Sequence, residues 1–429
     1  MTMIDLRPRT QPYPPKNTNV MLFGDSQGQH NASVAGGYRR SLAYGAVNWA
    51  AYLSRQRVNF QPTDCWAVFG MDTGQILNGV SGQITAVGSA IASYGGNVPG
   101  IAVVDCGTND VPHGLTLAQS KINIQGIIAQ IRGAGSLVFW LCPRPRDISD
   151  ATYGMTATQA RNYNQLIDYI KSLHAPANGI WIVDTWEDLL NPTDANMAMI
   201  TAATYDKLHI DQYGAYLNGL RLAKLWGLGE ADGSIIPFVD ALRPGRSVFN
   251  AYNATDYPAG FLNANPQMAG SPASSWTVNP GSTGIASSLS KVTGLLGQSM
   301  QQVVLSGTPA NQNFWYYYQN PITAANLAIG DVVEGFCDFE MDAGSAGLNC
   351  LGLVLQDNTS FIWSMAFDQS SDILDRPLPG VAHQGVMRLP RFTLTSTGVR
   401  FGIGCKARSS LPAVGATFRV GTMFLKKVI

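Results

Sequence analysis

Four short segments carry residue types that chemistry can use. Phe23-Gly24-Asp25-Ser26 directly follows the apolar run NVML. A strand ending in Gly and then Ser presents a hydroxyl at the carboxyl edge of a parallel sheet, where open α/β sheets place their sites. Alone, the Gly24-Asp25-Ser26 tripeptide reads more readily as a turn with a helix N-cap. Asp206-Lys207-Leu208-His209 supplies what a hydroxyl lacks. A carboxylate three residues before an imidazole reaches it across a turn and fixes its tautomer, which frees the other ring nitrogen to take a serine proton. The chain holds only 5 His, so a chance match is less frequent. Gly107-Thr108-Asn109-Asp110 follows IAVVDC, and an Asn amide at a strand end can donate to a developing oxyanion. Asn78-Gly79-Val80-Ser81-Gly82-Gln83 offers a Gly N–H to the same pocket, although Asn and Gly dominate ordinary turns as well.

Such residues must be held by a scaffold. From about residue 18 to 228 the chain alternates short apolar runs with helical patterns. NVMLFGD, CWAVFGM, IAVVDCG, SLVFWLC and IWIVDTW read as buried parallel strands. RRSLAYGAVNWAAYLSRQ, LAQSKINIQGIIAQIRG and ATQARNYNQLIDYIKSLH read as helices with apolar residues near 3.6 spacing, and DQYGAYLNGLRLAKLW as a helix that locks the Asp-x-x-His loop. The expected fold is a three-layer α/β domain. Beyond about residue 240 the rhythm becomes GDVVEGFCDFEM, LNCLGLVLQD, SFIWSMAFD, GVMRLPRFTLTS, VRFGIGCKA and ATFRVGTMFLKKV. These are short strands separated by turn signals, the pattern of an antiparallel, jelly-roll-like β-sandwich. The expected division is an extension over 1–17, a catalytic domain over 18–228, a Pro-, Gly-, Ala- and Asn-rich bridge over 229–275 and the sandwich over 276–429.

In the order GDS, GVSG, GTND, DKLH, the four segments resemble the blocks of SGNH (GDSL-type) hydrolases, named for Ser, Gly, Asn and His. The resemblance covers roughly residues 18 to 228 and implies a flavodoxin-like sheet. It implies Ser26 as nucleophile and, through its own N–H, one oxyanion donor. Gly82 stands as the second donor through its backbone and Asn109 as the third through its side chain. His209 is the implied base and Asp206 its orienting partner. Gly74 and Gly79 compete with Gly82 for that role. The stretch from Ser26 to Gly82 is longer than in compact members, so an insertion around GQHNASVAGGYRR is expected to reshape the pocket rim. The mechanism needs no metal and no organic cofactor.

Other residues have a functional and a bland reading. His113, in NDVPHG, is a candidate substrate contact or an idle loop histidine. Arg144 and Arg146, in CPRPRD, lie at a sheet edge where an anionic sugar could bind, or in a solvated loop. His30 is expected at the rim or surface. In Phe314-Trp315-Tyr316-Tyr317-Tyr318, alternation puts Trp315 and Tyr317 on one face, where they would stack on sugar rings or fill the sandwich core; Trp276 and Trp363 share that ambiguity.

Composition narrows the partners. With 28 Lys+Arg against 28 Asp+Glu and no basic run, nucleic acid is not an expected partner. No apolar stretch approaches the roughly 18 residues that span a bilayer. The N-terminus is polar and rich in Pro without an apolar signal core, so either the chain does not travel by that route or its leader is not part of the sequence. The 6 Cys include no CxxC pair and no zinc-finger spacing, and disulfides are not expected. Charged residues make up only 13%, below the usual quarter or so. An SGNH-like half joined to a sandwich, with low charge, resembles carbohydrate esterases, among them bacteriophage tail esterases; the resemblance implies an O-acetyl esterase of polysaccharides, extracellular or virion-associated, and a tail component would be expected to form trimers. A lipolytic esterase or thioesterase, and a glycan-binding or structural protein without turnover, are the competing readings.

Overall fold

The computed structural model describes Pro14 and residues 18–33, 40–227, 247–250, 269–270, 276–279, 284–295, 299–309, 312–319, 328–357, 360–366, 377–396 and 399–428. In the N-terminal half, five parallel strands form one sheet in the order Val58–Cys65, Thr18–Gly24, Ile101–Asp105, Leu137–Leu141, Ile180–Val183. In chain order this is 2-1-3-4-5, the flavodoxin-like arrangement, in which connections diverge between the first and third strands. The crevice at that divergence is where such sheets bind ligands, and Ser26 and Asn109 follow those two strands.

Four of the five expected strands lie where the apolar runs put them; the run CWAVFGM does not. The strand there is the preceding Val58–Cys65, VNFQPTDC, at the sheet's edge. An edge strand tolerates Pro62 and polar residues because its outer side pairs with nothing in the sheet. Trp66 and Val68 still bond along the first strand, Trp66 N–H to the Leu22 carbonyl (2.7 Å) and Val68 N–H to the Gly24 carbonyl (3.0 Å), but in irregular register.

Helices cover both faces. Leu117–Gly133 and Ala157–Ser172 each start in a capping box, Thr116 with Gln119 and Thr156 with Gln159. Asp211 caps Gln212–Trp226, and Gly227 ends it at φ 113, a left-handed turn that suits Gly. The segment expected as one long helix from Arg39 divides into a strand, Arg40–Leu42, and a helix, Ala46–Leu53. Strand alternation splits the core. Met21, Phe23, Val104 and Trp140 face the Leu117–Gly133 side, whereas Val20, Leu22, Val103 and Phe139 face Ala46–Leu53 and Gln212–Trp226.

The C-terminal half forms two mainly antiparallel sheets with a shared core, a β-sandwich. One carries Val399–Arg408, Leu348–Asp357 and Ser360–Ala366; the other carries His383–Arg388, Val332–Met341, Val414–Lys427 and Ser299–Gly307. Within the stretch expected as a bridge, Ser247–Asn250 pairs with Val414–Lys427 and Ala269–Gly270 with Ala286–Thr293. The side chains of Trp276, Trp315, Tyr317 and Trp363 lie outside the described part of the structure.

The two halves share one apolar core. Trp49, Tyr52 and Trp226 belong to the same buried cluster as Phe339, Leu353 and Phe418. Polar bonds reinforce the seam: Tyr52 Oη to His383 Nδ1 (3.0 Å), Gln56 Nε2 to the Val386 carbonyl (2.8 Å) and Gln212 Nε2 to the Asn349 carbonyl (2.8 Å). A Cβ at Gly385 would collide with the Tyr52 carbonyl, so the helix and strand approach closely only because that position is Gly. Where it is described, the insertion expected to shape the pocket rim carries His30 next to His209 and also reaches the sandwich. Ala32–Ser33 pairs with Arg40–Leu42, which pairs in parallel with Ser360–Ala366, so the N-terminal half extends a sandwich sheet.

Candidate active site

Ser26 opens a four-residue helix, Ser26–Gln29, immediately after the first strand. Gly24 makes that turn possible, because a Cβ there would strike the carbonyl oxygen of Asp105 on the adjacent strand. Asp25 caps the helix, its Oδ1 accepting the Gln27 N–H at 2.9 Å. The Ser26 hydroxyl meets His209 Nε2 at 2.9 Å. His209 Nδ1 meets Asp206 Oδ2 at 2.6 Å, while Asp206 Oδ1 accepts the backbone N–H of Leu208 (3.0 Å) and of His209 (2.6 Å). Four hydrogen bonds tie this carboxylate and imidazole in place, so the ring has little freedom. With Nδ1–H donated to the carboxylate, Nε2 is left as the acceptor facing the hydroxyl. Burial alone would raise the Asp206 carboxyl, but the hydrogen bond and charge of His209 outweigh it and hold Asp206 below the usual range.

The base loop is pinned from several sides. Lys207 sits at φ 71, a left-handed position uncommon outside Gly, and its Nζ lies 3.2 Å from Asp150 and 3.5 Å from Asp147. Thr204 Oγ1 donates to the His209 carbonyl at 2.6 Å. Gln27, the residue after the nucleophile, donates through Nε2 to the Leu208 carbonyl at 2.8 Å and is 1% exposed. It ties the serine helix directly to the histidine loop. The sequence reading missed this positioning residue, since a lone Gln after GDS carries no signal of its own.

Asn109 follows the third strand, and its Nδ2 donates to the Met71 carbonyl at 3.0 Å. Gly82 is not brought to this place. It is exposed on a turn closed by Val80 and Ile84, past the far end of helix Thr73–Asn78, whose start is anchored on Asp110 through Thr73 N–H (2.9 Å) and Oγ1 (2.6 Å). Gly74 lies within that helix and Gly79 ends it. One glycine near the site is Gly70, at φ 75, between Phe69, whose ring lies 6.2 Å from that of His209, and Met71, which accepts from Asn109; Gly74 follows Thr73, which bonds Asp110 beside Asn109. A Gly closing the run after Trp66-Ala67-Val68-Phe69 was the available signal; the false strand assigned to that run hid it.

Aromatic groups wall the imidazole. Tyr205 stacks on it at 5.7 Å, and Tyr153 approaches edge-on at 6.0 Å. His30, expected at the rim or surface, is instead 5% exposed with its ring 5.4 Å from that of His209. Burial, and next the charge of His209, push His30 down to about 3, so it stays neutral at working pH. His113 pairs through Nδ1 with Asp72 Oδ2 at 3.0 Å.

The expectation that Arg144 meets substrate is corrected. It is 3% exposed and grips Asp105 with both terminal nitrogens, at 2.8 and 2.9 Å, beneath the serine turn. The acids around the turn, not a ligand, use this cation. Asp25 is fully buried beside the pair. Burial first, and Asp105 second, push its carboxyl up to about 8 against the pull of the Gln27 N–H and Arg144. A carboxyl raised in this way contributes stability that is complete below its ordinary 3.8 and lost as pH rises through about 8. Asp25→Asn keeps the cap and mimics the protonated form. Its melting temperature should therefore rise relative to the native chain between about pH 5 and about pH 9. A pH-independent difference in paired thermal melts would contradict this.

All six Cys are free thiols, five of them buried. The sheet order is the one that the resemblance to SGNH hydrolases implied, and Ser26, His209 and Asp206 lie in one hydrogen-bonded chain. No protein-family model and no curated protein matches the chain. Solved structures with a similar fold include three hydrolases. A GDSL-like lipase from Bacteroides thetaiotaomicron is 14% identical, with 48% of this chain and 87% of that one covered at a TM-score of 0.35. A catalytic mutant of an acetylxylan esterase from Geobacillus stearothermophilus is 13% identical, with 51% and 97% covered at 0.35. A carbohydrate esterase family 3 protein from Talaromyces cellulolyticus is 15% identical, with 48% and 95% covered at 0.33. At these identities the likeness concerns fold alone.

Proposed function

We propose that this chain is a carboxylic ester hydrolase that works through an acyl-serine intermediate, and that it removes O-acetyl groups from a polysaccharide. The observation that carries the reading is the unbroken contact from Asp206 through His209 to Ser26 at the carboxyl edge of the sheet. His209 takes the hydroxyl proton as Ser26 attacks the ester carbonyl, because an unassisted hydroxyl is a poor nucleophile. Asp206 stabilises the imidazolium that forms. The oxyanion is received by the Ser26 N–H, the Asn109 amide and, in place of Gly82, the backbone N–H of Gly70. One such donor is typically worth about 10²–10³ in kcat. His209 then returns the proton to the departing alcohol and activates water to release the acyl group.

The glycan part of the proposal draws on the ring of Tyr153, Tyr205 and Phe69 about the base, since flat aromatic faces suit sugars, and on the sandwich fused to the catalytic half. Attachment to a virion tail and trimer formation belong to the same proposal. The native chain should release acetate from O-acetylated polysaccharides and Ser26→Ala should not. Equal release by both would defeat the esterase reading, and preference for octanoyl over acetyl esters would shift it to a lipolytic one.

A further inference from the structure

Arg146, two residues beyond the paired Arg144, is buried with no carboxylate of the described residues in contact with it. It is 5% exposed, yet no carboxylate of the described residues lies within 4.0 Å of it. The adjacent Asp147 is engaged elsewhere: its Oδ1 accepts from Ser149 N–H (2.9 Å) and Oγ (2.6 Å), and Lys207 Nζ approaches its Oδ2 at 3.5 Å. Arg146 Nε donates to the Tyr153 carbonyl at 2.6 Å and Nη1 to the Thr108 carbonyl at 3.2 Å; among the described residues Nη2 finds no acceptor. Two neutral carbonyls satisfy two N–H groups, no carboxylate of the described residues touches the guanidinium although the charges of Asp150 and Asp25 act on it from farther away, and burying a cation without a contacting partner is costly. Burial is also the leading influence on its proton, weakening the guanidinium's hold below its ordinary value.

Its position makes this more than a structural cost. Thr108 precedes Asn109, and the Tyr153 ring meets His209. The guanidinium therefore joins the two loops that flank the Ser26–His209 pair, at the sheet edge where ligands bind. A guanidinium with N–H groups to spare is the residue suited to a carboxylate, which it can engage with parallel charge-assisted bonds.

We propose that Arg146 receives a carboxylate on the substrate, so that the site selects esters carrying an acidic group near the scissile bond. This rests on the esterase reading above and adds the chemical class of its substrate. The acid could be borne by the sugar, as in a uronate, or by the acyl group, as in a succinate half-ester. Steady-state kinetics would compare O-acetylated oligogalacturonate with O-acetylated cello-oligosaccharide, and mono-4-nitrophenyl succinate with 4-nitrophenyl acetate. The native chain should favour the acidic member of one pair, which identifies the source. Arg146→Gln should lower kcat/KM for that member roughly ten- to hundredfold, mainly through KM, and collapse the acidic-to-neutral ratio, with Arg146→Lys restoring part of it. Parallel losses on acidic and neutral esters, or no native preference in either pair, would overturn the proposal and leave Arg146 as a clamp between loops.

A binding arm separates this failure from failure of the esterase reading. Calorimetry on Ser26→Ala with unesterified oligogalacturonate and with succinate should show binding of one of them that is lost on adding Arg146→Gln. Such binding without hydrolysis of any ester would keep the carboxylate site and remove the esterase. Hydrolysis with no acid binding or preference would do the reverse. Thermal melts of each variant establish that it is folded.

Discussion

Ser26→Ala is expected to lower kcat on an activated acetate ester by about 10⁶-fold, and His209→Ala to do the same, with the double variant no worse than either. Non-additivity is the diagnostic part. The hydroxyl and the imidazole act as one unit only if the 2.9 Å contact transfers a proton during attack. Once either partner is gone, the other has nothing left to do. Residual activity should stand about 10³–10⁴ above water, because oxyanion donors remain. Ser26 Oγ makes its hydrogen bond to His209, so removing it leaves the Asp25 cap and the Gln27 bridge in place. Stopped-assay initial rates on the three variants check this. Losses that multiply, giving a double variant far below both singles, would mean that the two residues act separately.

Asp206→Asn carries the second-largest expectation, a drop in kcat of about 10⁴ with little change in KM. The Asn carbonyl oxygen can still accept the two backbone N–H groups that Asp206 Oδ1 accepts at 3.0 and 2.6 Å, so the turn at Lys207 should survive. The group facing Nδ1 becomes an amide donor. Imidazole must then turn its unprotonated nitrogen towards the amide, and Nε2 carries the hydrogen that should have come from Ser26. Nothing is left to stabilise the imidazolium either. Binding of the ester is untouched by both effects, which is why the loss belongs in kcat. A comparable fall in an Asp206→Asn chain that has also lost its native melting behaviour would not count; a folded variant with near-native kcat would refute the assignment.

Much of the catalytic half was legible because its signals are local. Leu117–Gly133 and Ala157–Ser172 combine 3.6 periodicity with capping boxes, and the sheet's inner strands are continuous apolar runs because both faces are covered. Ser26, Asp206 and His209 were legible because each sits next to an element end that the pattern defines. The edge strand Val58–Cys65 was not, since its buried positions include Asn59 and Gln61, whose side chains are satisfied by partners far away in sequence, Asn19 and the Arg391 N–H, rather than by apolar packing. That error carried over to Gly82, for Gly70, a glycine near His209, lies in the loop mistaken for a strand. Arg144 misled for a different reason. Its partner Asp105 is 39 positions away, and sequence does not say which buried acids will meet which cation. The seam between the halves, where Tyr52 meets His383 and Gly385, likewise depends on pairings separated by hundreds of residues.

The central claim is that Ser26 is the hydroxyl His209 activates. A fluorophosphonate reagent, which captures activated serines covalently, followed by peptide mass spectrometry, tests it most directly. A single adduct on the peptide containing Ser26, lost in His209→Ala, is the predicted result. An adduct on another serine, or labelling of Ser26 that persists without His209, would contradict it.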